Sequence, residues 1–169
     1  MELQWQRLEG RTGHEAGLAL LEKMYLERTG SALPKVVYTP RGKPYFEGGE
    51  LHFSISHTKE HVFCCLCGEP VGIDAEPTDR PVDLGLAKRW LSDREQEIFA
   101  RAENPAEVLL RFWVLKESYA KLTGRGWGNY LKDTCFDPFS QQIQRIDGCF
   151  VAGLTEKELS SCYLTPMPM

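Results

Sequence analysis

The chain has 169 residues, 42% of them hydrophobic and 26% charged, a balance that suits one globular domain with a real core, or two small halves sharing one, and excludes a disordered or collagenous chain. Its formal net charge of −4 gives no global attraction for nucleic acid or an anionic membrane, so an acidic partner must meet a local basic patch. No apolar run approaches the roughly 18 residues that span a bilayer, and MELQWQRLEG lacks the apolar centre of a signal peptide. A cytoplasmic protein with no membrane and no nucleic-acid partner is expected.

In chain order, ELQWQRL alternates as a strand does, and HEAGLALLEKMYLERTG carries Leu18, Leu21 and Tyr25 at helical spacing before Gly30, a natural C-cap. KVVYT after Pro34 reads as a short strand, followed by the turn PRGKPYFEGGE. LHFSISH, HVFCCLC and, after a Gly68-Glu69-Pro70 turn, VGIDAE then read as consecutive strands of one antiparallel meander. VDLGLAKRWL and SDREQEIFARA read as helices. A long helix follows from Asn104-Pro105 to Gly124, with Asn as N-cap, Pro at the first position and Gly after the end. Beyond GRGWGN, the pieces CFDPF, QQIQRI and CFVAGL return to strand character. This order predicts an α+β fold, with antiparallel strands and helices packed on one side. Cys64, Cys65, Cys67, Cys135, Cys149 and Cys162 show no paired spacing and are expected as small, buried, free thiols.

VGIDAEP puts Asp74 and Glu76 on one side of its strand, with Cα atoms about 7 Å apart, and Ile73 and Ala75 on the other. Two adjacent anions repel. They are either solvated at an exposed strand end before Pro77 or compensated by a cation, and such oxygen ligands suit Mg2+. RFWVLKESYAKLTG places Trp113, Glu117 and Lys121 on one stripe of a helix. Glu117 and Lys121 alone are an ordinary i, i+4 pair worth a few tenths of a kcal/mol, about 0.2–0.5. Set among Phe112, Trp113, Leu115 and Tyr119, however, Glu117 suits a third carboxylate of a metal site, and Lys121 a neutraliser of phosphate charge.

GKP, FSISHT, VGIDAE and FWVLKESYAKLTGRG, in this order and spacing, resemble the 4'-phosphopantetheinyl transferases of the surfactin-synthetase-activating type, over about Leu18 to Phe139. The resemblance implies transfer of the phosphopantetheine arm of coenzyme A to a serine of an apo acyl or peptidyl carrier protein, with release of 3',5'-ADP. It implies a pseudo-dimer of two α+β halves with antiparallel strands, here 1–68 and 69–169 of a single domain, and a cleft between them within one monomeric chain. Carried over residue by residue, Asp74, Glu76 and Glu117 match the Mg2+ ligands. Lys121 matches the phosphate-binding lysine, with Lys116 adding charge nearby. Lys43 matches a residue against the nucleotide end, and Ser56 and His57 a pair holding the 3'-phosphate. Glu117 is the first candidate for the base that takes the serine proton, and Glu95 the second.

Glu95 has a competing reading, because Ser92-Asp93-Arg94-Glu95 opening a helix is a capping box. His57 and His61 do not have a zinc-protease helix around them, and Cys64, Cys65 and Cys67 lack a second ligand pair. GRGWGN follows a helix, unlike a nucleotide-binding fingerprint, and suits a turn beside the pantetheine arm. Ala75 stands where the family carries a larger aliphatic residue, leaving slack in the core. Only about thirteen residues precede the first helix, so the family's basic leading segment is expected to be missing, with Arg7, Arg11 and His14 as substitutes. Lys88, Arg89 and Arg94 are expected to dock the acidic carrier. Another metal-dependent phosphoryl enzyme, or a non-catalytic relative that binds carrier or coenzyme A, is the alternative.

Overall fold

The computed structural model describes residues 1–159. The elements are β1 (Glu2–Arg7), α1 (Gly13–Thr29), β2 (Val36–Tyr38), β3 (Pro44–Phe46), β4 (His52–His57), β5 (His61–Cys67), β6 (Val71–Pro77), α2 (Ala87–Trp90), α3 (Asp93–Ala100), α4 (Pro105–Thr123), β7 (Ile143–Ile146) and β8 (Cys149–Thr155). The strands form two three-stranded antiparallel sheets, ordered β1-β5-β4 and β6-β8-β7, and a small β2-β3 hairpin. The α+β expectation thus holds at the level of helices with antiparallel sheets. Among the described residues no helix is long and apolar enough to cross a membrane.

Local signals set the long helices. Thr12 and Glu15 form a capping box at the start of α1, and Gly30 ends it in the left-handed conformation, φ 69°. Asn104 accepts from the Glu107 amide ahead of Pro105, and Gly124, φ 66°, closes α4. VDLGLAKRWL is not one helix: a 3-10 turn at Leu84–Leu86, with Asp83 accepting from the Gly85 amide, precedes the single turn of α2. CFDPF forms no strand of its own; Phe136 is instead a buried anchor under α4.

Each sheet carries one long helix. Leu20, Leu21 and Met24 of α1 pack on Phe53, Val62, Cys64 and Leu66, while Leu110, Val114, Leu115 and Leu122 of α4 pack on Phe150, Ala152 and Leu154. The opposite faces of the sheets meet each other: Phe63, Cys65 and Cys67 of β5 lie against Val71, Ile73 and Ala75 of β6 and Cys149 and Val151 of β8. HVFCCLC is buried throughout because α1 covers one of its faces and the second sheet covers the other.

The expected meander is corrected here. β6 does not extend the sheet of β4 and β5; it pairs with β8, with Asp74 opposite Ala152 and Glu76 opposite Phe150. β5 has no free edge to offer, since β1 takes one side and β4 the other, so the chain after the Gly68 turn crosses to the second sheet. There the Ser54 hydroxyl accepts from the Ile73 amide and the Ser56 hydroxyl from the Ala75 amide, which seals the outer edge of β6.

The thiol reading is corrected at one position. Cys64, Cys65, Cys67 and Cys149 are buried and free, but Cys135 is only half-buried; Cys162 lies outside the described residues. Burial pushes the Cys64 thiol up to about 12 and Cys149 up to about 11, so neither is a nucleophile at neutral pH.

Gly72 sets the distance between β6 and α4. A Cβ there would fall on the Ser118 carbonyl oxygen and the Leu122 amide, both backbone atoms of α4 that cannot swing aside. Gly72→Ala is therefore expected to cost about 3 kcal/mol or more, the upper end of overpacking effects, measured by urea unfolding. Gly68→Ala, where the added carbon meets nothing within 4 Å, serves as the neutral control.

Candidate functional site: a carboxylate cluster at the mouth of a cleft

On the face of β6 turned to α4, Gly72, Asp74 and Glu76 succeed each other, and the α4 stripe Trp113, Glu117, Lys121 runs beside them. Asp74 is buried, at 5% exposure. Its Oδ1 accepts from the Lys121 ammonium at 2.7 Å and from the Ser56 hydroxyl at 2.9 Å, whereas its Oδ2 has no hydrogen-bond partner among the described residues. Glu76 is paired with Arg80, whose guanidinium lies 5.0 Å from the Trp113 ring. Glu117 accepts from the indole N–H of Trp127. Burial, then the neighbouring Asp74 charge, pushes the carboxyls of Glu76 and Glu117 above the ordinary glutamate value. Three anions thus share one partly dehydrated spot, each held by a separate donor. As placed, no three His, Cys, Asp or Glu side chains among the described residues are grouped closely enough to hold a metal ion.

A cleft of about 290 Å3 opens beside this cluster, lined by the β2–β3 turn (Arg41, Lys43), β4 (Phe53, Ser54), the end of α4 (Glu117, Lys121) and Trp127. Lys43 reaches it by laying its methylenes against Gly124 and giving its ammonium to the Leu122 carbonyl, one of the unpaired carbonyls at the end of α4. Burial pushes its ammonium below the ordinary lysine value. Arg41 donates to the Arg125 carbonyl at 3.4 Å across the same mouth.

Lys116, Glu95, Ser56 and Arg7 depart from expectation. Lys116 does not face a cofactor: it is fully buried, and its ammonium is spent on Glu95 at 2.8 Å and on the Leu131 and Thr134 carbonyls. Glu95 does not border the carboxylates either. Equally buried, it closes the capping box by accepting from the Ser92 amide and also accepts from the Phe136 amide, so the capping reading prevails. Ser56 points inward, donating to Asp74 and accepting from the Ala75 amide, while His57, next along the strand, points outward and rests against Gly13 at the start of α1. Arg7, offered as a nucleotide contact, is held by Asp147 at 2.9 Å instead. Arg41, Arg80 and Trp127 were missed. Arg80 had a signal, its i, i+4 spacing from Glu76; Arg41 and Trp127 reach the site through loops whose course no periodicity reveals.

Two outcomes follow. Lys116→Met leaves the Glu95 carboxylate buried without its cation and should cost about 3–5 kcal/mol, whereas adding Glu95→Gln, which removes the charge but keeps an oxygen for only one of the Ser92 and Phe136 amides, should recover part of it in chemical denaturation. For Glu117 the folded state holds its proton more tightly than the unfolded state, so its contribution turns unfavourable as pH rises above 4.5. Glu117→Gln is therefore expected to raise the melting temperature at pH 7, with the gain vanishing as pH falls below that range; a melting temperature lowered at pH 7 would mark a structural carboxylate.

Comparison with known proteins gives this cluster a context. The family model of the 4'-phosphopantetheinyl transferase superfamily matches residues 70–163, which include the three carboxylates and Lys121. The chain is 32% identical over 115 residues to 4'-phosphopantetheinyl transferase psf-1 of Bacillus pumilus, covering 67% of this chain and 45% of that protein. It is 32% identical over 117 residues to 4'-phosphopantetheinyl transferase Sfp of Bacillus subtilis (strain 168), covering 68% and 49%. With 4'-phosphopantetheinyl transferase HetI of Nostoc sp. the identity is 35% over 100 residues, 54% and 42% of the two chains. The matched region spans about half the length of these relatives. A match over more than half of this chain, falling on the strand and helix that carry the cluster, makes it a member of the 4'-phosphopantetheinyl transferase superfamily.

Proposed function

We propose that the chain transfers 4'-phosphopantetheine from coenzyme A to a serine of an apo acyl or peptidyl carrier protein, with 3',5'-ADP leaving, in an Mg2+-dependent reaction. The observation that carries this reading is the buried Asp74 Oδ2, an acceptor with no protein donor, set between two further carboxylates at the mouth of a cleft. Such an orphan is costly unless a cation fills the place, and an all-oxygen donor set suits Mg2+. Asp74, Glu76 and Glu117 would hold it. When bound, Mg2+ supplies neutralisation of the pyrophosphate oxygens of coenzyme A.

The other roles belong to the chain itself. Lys121, a third exposed beside Asp74, is close enough to the cleft to take phosphate charge. Glu117 is the base for the serine proton, directly or through one water. Glu95 is too deeply buried to share that work. Lys43 and Arg41 give the cleft wall a positive end suited to the nucleotide phosphates, and His57 remains a candidate for the 3'-phosphate. Exposed Lys88 and Arg89 on α2 suit an acidic carrier. The two helix-on-sheet units are read as the pseudo-symmetric halves 1–68 and 69–169 of a single domain, and the enzyme as monomeric and cytoplasmic.

Incubation with coenzyme A, Mg2+ and a panel of apo carrier proteins is expected to raise the mass of at least one carrier by one phosphopantetheine. Asp74→Ala and Glu117→Ala should abolish the gain while remaining folded. Coenzyme A binding without any mass gain across the panel would instead identify a non-catalytic relative.

A further inference from the structure

The inference rests on the carboxylate cluster being a cation site, and concerns what orients it. Asp74 has Lys121 and Ser56 on Oδ1, and Glu76 has Arg80, its own i+4 neighbour. Glu117 has no such local support. Lys121, four residues along the helix, turns away to Asp74, and among the described residues the hydrogen bond to the Glu117 carboxylate comes from Trp127. That donor sits outside α4, in a segment that leaves the helix through Gly124 and Gly126, φ 66° and 68°, conformations that an L side chain rarely adopts. The indole is then fixed by rings: its centroid lies 4.7 Å from that of Trp113 and 5.8 Å from that of Trp90.

We propose that Trp127 is a positioning residue for the carboxylate site, its indole N–H fixing one oxygen of Glu117 so that the other stays free for a divalent cation. The chemistry of the donor matters. Lys121 and Arg80 already bring two positive charges to three carboxylates, and a third charged donor would cancel the remaining attraction for a cation. Indole offers a single N–H and no charge, so it orients the glutamate without competing electrostatically. Hydrogen-bonded partners of metal-binding side chains act in this way, by removing orientational freedom before the ligand arrives.

Calorimetric titration of Mg2+ into protein with coenzyme A present tests it. Trp127→Phe keeps the ring against Trp113 and Trp90 but loses the N–H, and is expected to weaken Mg2+ binding roughly 10- to 100-fold, with an unchanged melting temperature. Trp127→Ala should show the same weakening together with a lower melting temperature. Wild-type Mg2+ affinity in Trp127→Phe, or a loss confined to Trp127→Ala, overturns the proposal, because packing alone would then explain the residue. Weakened metal-free binding of coenzyme A by Trp127→Phe overturns it too, in favour of direct contact between indole and ligand. Wild-type protein that takes up no Mg2+ defeats the cation-site reading itself, and this inference with it.

Discussion

The close approach of α4 to β6 at Gly72 is the constraint on which the rest depends. With no side chain there, helix backbone lies directly on strand backbone. From that point two periodicities stay in step: two strand residues advance about 6.6 Å, and four helix residues about 6 Å. Gly72 therefore faces Leu122 and Ser118, Asp74 faces Lys121, and Glu76 comes under Trp113 by way of Arg80. The charged partners meet because the spacing of one element matches that of the other over this short length.

The same helix divides its charges by direction. Lys116 and Lys121 are five residues apart, which places them about 140° apart around the axis at 3.6 residues per turn. One is sealed in the interior against Glu95, where desolvation lowers the ammonium and raises the carboxyl. The other stands at the cleft, partly solvated, beside a carboxylate with an oxygen to spare. An interior pair ties the segment after α4 to α3, through the Leu131 and Thr134 carbonyls and the Phe136 amide. Trp127 lies within the span that this pair holds down.

What the sequence makes legible is what local chemistry decides. Gly30 at the end of α1, the Asn104-Pro105 start and Gly124 end of α4, and the alternation of β1 all read directly, because each rests on neighbours within a few positions, whereas the Thr12–Glu15 box that opens α1 did not. Asp74, Glu76, Glu117 and Lys121 were legible as a group for the same reason: each pair falls on one face of one element. The partner of β6 was not legible, since it depends on β1, far away in sequence, having filled the free edge of β5. Lys116 misleads for a related reason. A lysine next to a site glutamate suggests shared duty, but adjacent helix positions point about 100° apart, and only the course of residues 131–136 determines that the outlying direction is interior.

The serine seal on β6 bears on how the chain behaves toward other copies of itself. A strand with one open side ordinarily offers a row of unpaired amides on which a foreign strand can grow, the usual seed of sheet-mediated aggregation. Here β8 fills one side of β6, and the hydroxyls of Ser54 and Ser56 occupy the amides of Ile73 and Ala75 on the other. Side chains, not a further strand, terminate the hydrogen-bond ladder. The strand stretch VGIDA is therefore closed to intermolecular pairing, and its carboxylate face is left to the helix and cleft instead of being roofed by another strand.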